Sequence, residues 1–175
     1  MQQFQSSTIR RRPWKFHGGV HLPDEKSLSS GKPVEAAPLP AELTIPLQQH
    51  IGTAAKPLVE VGDRVLKGQK IGEAQGYVSA PVHASSSGRV TAIEKRPVPH
   101  PSGLSGACIV IETDGEDAWA ELPEPMTDYA KRDPAEIRDR IRWAGIVGLG
   151  GAAFPTSVKL NPGPDQNIHT LIING

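Results

Sequence analysis

The chain has 175 residues, with 19 basic and 19 acidic residues and only 5% aromatic residues. This balance leaves no net positive charge to attract nucleic acid, so nucleic-acid binding is not expected. No apolar run approaches the ~20 residues that a membrane-spanning helix requires, and the 18 glycines and 17 prolines favour β structure and loops over long helices.

Residues 1–40 are predicted to form an irregular segment. Residues 10–15 (Arg-Arg-Arg-Pro-Trp-Lys) are a basic run, which is either a solvated tail or a contact with an acidic partner or anionic headgroups. His17 and His21 are four residues apart, a spacing that suits a metal only on a helix. The two glycines between them favour a turn, so no metal site is expected here.

Residues 41–118 are typical of a small β domain. Short apolar stretches alternate with glycine turns, which predicts strands at residues 43–45, 57–61, 64–66, 69–71 and 107–113. Residues 61–71 (Val-Gly-Asp-Arg-Val-Leu-Lys-Gly-Gln-Lys-Ile), together with residues 80–81 and 87–90, resemble the biotinyl/lipoyl carrier fold. That resemblance implies a barrel-sandwich hybrid.

The carrier resemblance raises an alternative function, a swinging-arm carrier with a modifiable lysine at a hairpin tip. The tip comprises residues 73–78, and Gly76 stands where the biotinyl pattern places its lysine. No lysine occurs between Lys70 and Lys95. Without an amine there is nothing to acylate, so we expect the fold to be retained and carrier chemistry to be absent.

Three further features of the β domain have plain structural interpretations. Residues 96–103 are rich in proline and are predicted to form a loop that cannot be an interior strand. Cys108, the only cysteine, lies in an apolar run and is predicted to be a small buried hydrophobe rather than a reactive thiol. Residues 114–117 are predicted to form an exposed acidic turn, with a cation site as the alternative.

Residues 119–133 are predicted to be a linker to a helix that begins at Pro134. Asp133 can cap the first turn of this helix, and Glu136 completes a capping-box pattern. Gly145 is a suitable stop, and one face carries three apolar residues at helical spacing, Ile137, Ile141 and Ala144.

A glycine-rich loop follows the predicted helix. Gly148, Gly150 and Gly151 lack a Cβ, so their backbone can adopt left-handed angles and approach a ligand closely. Successive N–H groups in such a loop form an anion-binding concavity, and Lys159 lies within reach of a phosphate. A preceding helix, rather than a strand, disfavours a Rossmann loop. Two interpretations remain, a site for a phosphate-bearing cofactor and a tight connection that merely needs glycines.

Residues 168–173 are an apolar run that predicts one buried strand of an α/β sheet. A glycine loop and one strand are only the first piece of an α/β domain, because a lone strand cannot bury both of its faces. Residues 134–175 are therefore expected to be the incomplete start of such a domain, in a truncated chain or in part of a longer polypeptide.

Residues 148–156 (Gly-Leu-Gly-Gly-Ala-Ala-Phe-Pro-Thr), with Lys159 after them, resemble the FMN loop of the flavin-carrying subunit of respiratory complex I. They are more similar still to the C subunit of the Rnf ion-translocating electron transport complex, also called Rsx. Complex I usually has arginine where Leu149 stands and glycine where Ala153 stands. Residues 16–19 (Phe-His-Gly-Gly) are also similar to the opening of Rnf C subunits.

The resemblance implies that backbone N–H groups of Gly148, Gly150 and Gly151 bind the phosphate of FMN, with Lys159 as the counter-charge and Asn174 contacting the flavin. It implies a subunit of an ion-translocating oxidoreductase that exchanges electrons with NAD(H) and passes them to 4Fe-4S clusters, whose cysteines lie beyond residue 175. It also implies other Rnf/Rsx subunits as partners and a peripheral position on the cytoplasmic face of the bacterial inner membrane. The chain alone is expected to be inactive, and the alternative is a non-catalytic docking module of that complex.

Overall fold

The computed structural model describes most of the chain, namely residue 18 and residues 22–100, 102–163 and 165–170. The chain divides into two units, residues 1–37 and residues 38–175.

In the first unit, the described residues contain one short 3-10 helix, Lys26–Leu28. The basic run at residues 10–15, together with His17 and His21, lies outside the described residues. The predictions made for those positions therefore stay predictions.

The described residues of the second unit contain seven strands in two antiparallel sheets. In chain order the strands are β1 (Glu42–Pro46), β2 (Lys56–Pro57), β3 (Arg64–Val65), β4 (Lys70–Glu73), β5 (Val82–His83), β6 (Gly88–Pro97) and β7 (Ser105–Thr113). The larger sheet has the order β1-β7-β6-β3, and the smaller sheet has the order β2-β4-β5.

Apolar side chains from both sheets form one buried cluster. Ile109 and Ile111 enter it from β7 of the larger sheet, and Ile71 enters it from β4 of the smaller sheet. Burial of a side chain of this size stabilises the fold by roughly 1.5–3 kcal/mol. Cys108 is also fully buried, as predicted. This arrangement agrees with the predicted barrel-sandwich hybrid.

Strand β6 was not among the strands predicted from the sequence. Val90 lies opposite Ile111 and Ile93 lies opposite Ile109, with a register shift at Thr91 between them. A bulge of this kind inserts one extra residue, so the apolar alternation expected of a strand is interrupted. Beyond the bulge, Ile93 again faces the core, but one position out of step with Val90. The interrupted alternation explains why this strand was not recognised in the sequence.

The predicted loop over residues 96–103 begins too early, because β6 continues to Pro97, which lies opposite Ser105. β3 pairs only with Gly88 and Arg89, so the far end of β6 has no second neighbour among the described strands. Proline is tolerated at such an edge because a missing N–H there removes no ladder hydrogen bond.

The acidic turn at residues 114–117 is held by contacts within the chain. Asp114 accepts a hydrogen bond from the Ser87 hydroxyl at 2.6 Å, and Asp117 forms an ion pair with Lys67 at 2.5 Å. These hydrogen bonds, from Ser87 to Asp114 and from Lys67 to Asp117, are the main reason that the pKa of each carboxyl is lowered. Across the described ranges, no group of three or more His, Cys, Asp or Glu residues is arranged to hold a metal ion.

The segment after this turn begins as an extension of the β domain. The Lys67 N–H donates to the Ala118 carbonyl, and the Ala120 N–H donates to the Lys67 carbonyl, both at 2.9 Å. The Lys67 ammonium lies 4.9 Å from the centroid of the Trp119 ring, a distance suited to a cation–π contact. The first residues of the predicted linker are therefore fixed to the barrel.

Helix α1 (Pro134–Trp143) begins and ends where the sequence predicts. The Asp133 side chain accepts a hydrogen bond from the Ala135 N–H at 2.7 Å. Gly145 follows the last turn with a φ of +68°, a value that glycine adopts readily. No residue of α1 is buried. A short second helix, α2 (Thr156–Lys159), follows the glycine loop.

The predicted final strand is not formed over residues 168–170, the part of it that the structure describes. Residues 171–175, including Asn174, lie outside the described residues. None of the helices in the described ranges has the length and apolar character needed to span a bilayer.

Candidate functional site

The glycine loop is a small hairpin that starts just after α1. The Gly148 N–H donates to the Phe154 carbonyl at 2.9 Å, and the Thr156 N–H donates to the Ile146 carbonyl at 3.0 Å. These two bonds close the base of the hairpin and leave residues 149–153 at its tip.

The three predicted glycines do not make the turn. None of Gly148, Gly150 and Gly151 has a φ in the left-handed region, contrary to expectation. Ala153 takes that conformation instead, with a φ of +43°, and its N–H donates to the Gly150 carbonyl at 2.8 Å. Because Ala153 closes the turn, the glycines are not required by the path of the chain.

The N–H groups of the three glycines fall into two kinds. The Gly148 N–H is already used inside the hairpin and is not free for a ligand. The Gly150 and Gly151 N–H groups have no hydrogen-bond partner within the described residues. A Cβ added at either glycine would meet no atom within 4 Å, so the space beside them is open.

Lys159 lies against the same hairpin. Its Nζ is 2.9 Å from the position that a Cβ on Gly148 would occupy. The Lys159 side chain forms no ion pair with the described part of the chain. An exposed cation against a hairpin whose tip carries two N–H groups without partners in the described residues forms a setting suited to an anion such as a phosphate.

The β domain holds this segment through three hydrogen bonds. The Arg142 guanidinium donates to the Gly76 carbonyl at 2.7 Å. The Ile51 N–H donates to the Ala152 carbonyl at 2.9 Å. The third bond runs from the Asn161 amide to the Tyr77 hydroxyl at 3.1 Å.

A packing contact beside these bonds involves His83 and the end of α1. The His83 and Trp143 rings meet edge to face, with centroids 5.5 Å apart. A Cβ on Gly145 would lie 2.9 Å from the Pro81 carbonyl oxygen, so only glycine allows this approach. His83 Nε2 is buried and has no partner in the described residues. Burial, followed by the nearby Lys70 charge, lowers the pKa of His83.

The sequence indicated the glycine hairpin but not the residues that hold it. Nothing in the local pattern marked Arg142, Ile51 or Tyr77, because each meets a partner distant in the chain. The one available signal was Gly76, whose φ of +76° turns the hairpin tip so that its carbonyl meets Arg142. The role expected of Asn174 stays a prediction, because that residue lies outside the described residues.

The fold and the site define a class of protein. It has a carrier-like β domain without a lysine at its hairpin tip, joined to a helix and a glycine hairpin suited to an anionic ligand. Residues 14–116 match the family model described as the RnfC barrel sandwich hybrid domain, and the chain belongs to this family. Residues 141–175 match the Nuo51 FMN-binding domain. Both matches confirm the resemblance found in the sequence.

Several curated relatives are about 50% identical to this chain over the residues that align with it. The C subunit of the ion-translocating oxidoreductase complex of Pseudomonas aeruginosa is 50% identical over 91% of this chain and 20% of its own length. The protein of the same name from Edwardsiella ictaluri is 49% identical over 94% of this chain and 20% of its own length. The protein of the same name from Yersinia pestis bv. Antiqua is 50% identical over 92% of this chain and 26% of its own length. The chain thus spans 20–26% of the length of these relatives.

Proposed function

We propose that the chain is the N-terminal part of the C subunit of an ion-translocating oxidoreductase complex, and that its glycine hairpin binds the phosphate of FMN. The observation that carries the binding proposal is the pair of Gly150 and Gly151 N–H groups, which have no partner among the described residues, in a hairpin against which the Lys159 ammonium lies at Gly148. These residues fall inside the segment that matches the Nuo51 FMN-binding domain.

Each residue has a distinct role in this proposal. Gly150 and Gly151 donate N–H groups to phosphate oxygens, and Lys159 supplies the counter-charge. Gly148 leaves room for the Lys159 ammonium instead of donating, since its N–H is engaged in the hairpin. Asn174 is proposed to hydrogen-bond the flavin. Bound FMN would supply the redox chemistry, so these residues bind and orient the cofactor and do not react themselves.

The proposed domain organisation supports this division of roles. It comprises an irregular segment (1–40), the barrel-sandwich hybrid (41–118), a linker (119–133) and the first part of an FMN- and NADH-binding domain (134–175). The β ladder that ends at Thr113 and the family match that ends at residue 116 support the second boundary.

The activity proposed for the whole subunit extends beyond these residues. The subunit would exchange electrons with NAD(H) through FMN and pass them to 4Fe-4S clusters bound by cysteines beyond residue 175. Partner subunits would couple this transfer to ion translocation, with the subunit lying peripherally on the cytoplasmic face of the inner membrane. The names of the curated relatives, which describe an ion-translocating oxidoreductase complex, support this proposal.

Flavin titration tests the cofactor assignment. FMN and riboflavin, which lacks the phosphate, would each be titrated into the chain and into the complete polypeptide that contains it, and quenching of flavin fluorescence would be measured. Tighter binding of FMN than of riboflavin to either protein is the expected result, because the proposed site recognises the phosphate. Absence of FMN binding in both would remove the cofactor proposal and leave the docking-module alternative.

A further inference from the structure

We infer that a surface of the β domain sets the geometry of the glycine hairpin, and that Arg142 is a positioning residue for the FMN site. This anchoring surface consists of Ile51, Gly76, Tyr77 and His83. The inference rests on the proposed FMN function for its ligand, but the anchoring itself is a property of the chain without ligand.

The anchoring contacts bracket the hairpin along the chain. Arg142 lies just before it and bonds to Gly76, whereas Asn161 lies just after it and bonds to Tyr77. The third contact is at the tip, where Ala152, the residue after Gly151, accepts a hydrogen bond from the Ile51 N–H. The hairpin is therefore held at its start, its tip and its end.

Local structure alone is too weak to fix the hairpin. No residue of α1 or α2 is buried, and α1 has only 10 residues. Helices shorter than about 12–15 residues are marginal in water without tertiary packing. The end of α1 packs on the β domain through the His83–Trp143 contact, and Gly145, just after the helix, closely approaches Pro81. The orientation of the Gly150 and Gly151 N–H groups thus depends on the anchoring surface.

The anchoring surface reuses the hairpin tip that carriers use for their lysine. Gly76 occupies that position here, and its carbonyl accepts the Arg142 hydrogen bond. In a carrier the tip must present a free amine, whereas here the tip meets another part of its own chain. The tip is a fixed support for the glycine hairpin.

The experiment compares Arg142→Ala with Arg138→Ala in the complete polypeptide. Arg138 is one helical turn earlier on α1 and forms no ion pair with the described residues, so it controls for loss of one positive charge. Arg142→Lys retains the charge and one set of donors, and should restore part of the effect. Tyr77→Phe removes a single acceptor oxygen and provides a second, milder loss of anchoring.

The first readout is hydrogen exchange of the Ile51 amide without any flavin. If the three anchoring hydrogen bonds act together, Arg142→Ala speeds the exchange of the Ile51 amide about three- to tenfold, because one solvent-exposed charged hydrogen bond is lost. Arg138→Ala should leave this exchange unchanged. Unchanged exchange in Arg142→Ala overturns the inference whether or not FMN binds. Thermal unfolding of each variant shows whether a change is local to the hairpin.

The second readout is FMN affinity, measured in a double-mutant cycle with Lys159→Met. Positioning predicts that Arg142→Ala weakens FMN binding about three- to tenfold. It also predicts that the effect of Lys159→Met is smaller in the Arg142→Ala background, because the charge is no longer held in place. The inference is contradicted if the wild type binds FMN and Arg142→Ala binds it equally well. It is also contradicted if the losses of FMN affinity in Arg142→Ala and Lys159→Met are strictly additive. Absence of wild-type FMN binding counts against the proposed function, and the exchange result then decides the anchoring alone.

Discussion

Replacing Lys159 by methionine should weaken FMN binding while leaving riboflavin binding and folding unchanged. Methionine keeps an unbranched side chain and removes the charge. The Lys159 ammonium lies against the Gly148 backbone, in the same hairpin that carries the Gly150 and Gly151 N–H groups, so it is the proposed counter-charge of a phosphate bound there.

The magnitude follows from the exposure of this lysine. Two unit charges at 4 Å interact by about 1 kcal/mol in water and about 4 kcal/mol at a dielectric constant of about 20. Lys159 is exposed, so the lower part of this range applies, about 1–2 kcal/mol. That energy corresponds to roughly 5- to 30-fold weaker FMN binding.

The assay is fluorescence titration of FMN and riboflavin at fixed ionic strength, because salt screens exposed charges. Lys131→Met is a matched control, since Lys131 is also exposed and also ends a short helix, the 3-10 helix Tyr129–Lys131. Neither variant should change the free energy of unfolding by more than about 0.5 kcal/mol. Equal losses of FMN and riboflavin affinity, or no loss of either, would refute the assignment of Lys159 to the phosphate.

Three further predictions concern the β domain. Gly88→Ala should lower the free energy of unfolding by about 1–3 kcal/mol in urea titration, because its Cβ would overlap the Glu112 carbonyl oxygen. Gly31→Ala, in open space, should not lower it, and similar losses in both would contradict the steric explanation. Ile71→Ala should cost about 2–5 kcal/mol, since Ile71 is fully buried, and a loss below 1 kcal/mol would indicate that the core collapses around it. The pKa of His83 is lowered in the folded chain from its ordinary value of 6.5, so as the pH falls the unfolded chain takes up this proton before the folded chain does, and stability falls as pH drops below 6.5. His83→Phe should flatten this part of the pH profile of the free energy of unfolding. An unchanged slope would assign the pH dependence to other groups.

Features set by neighbouring residues were predictable from the sequence. The ends of α1 follow from Asp133 and Gly145, whose chemistry acts within one helical turn. The core-facing residues of β7 follow from a continuous apolar run. Strand β6 was missed because the bulge at Thr91 and the charged residues beyond it conceal its alternation.

Features that depend on contacts between distant residues could not be predicted. The glycine hairpin was recognised by composition, yet the left-handed position is Ala153 and the Gly148 N–H is engaged within the loop. The bond from Arg142 to Gly76 spans 66 positions, and no local pattern marks the two residues as partners. Only the folded chain shows that the hairpin tip of the β domain supports the glycine hairpin.

The ordinary backbone angles of Gly150 and Gly151 have a thermodynamic consequence. Where any residue fits, glycine leaves the unfolded chain more conformations to lose, and alanine at such a position typically adds about 0.4–1 kcal/mol of stability. The folded protein therefore forgoes stability at two adjacent positions where its own packing gives no reason to do so. The absent methyl groups leave a vacant volume at the surface whose shape is relevant only to a molecule arriving from solution.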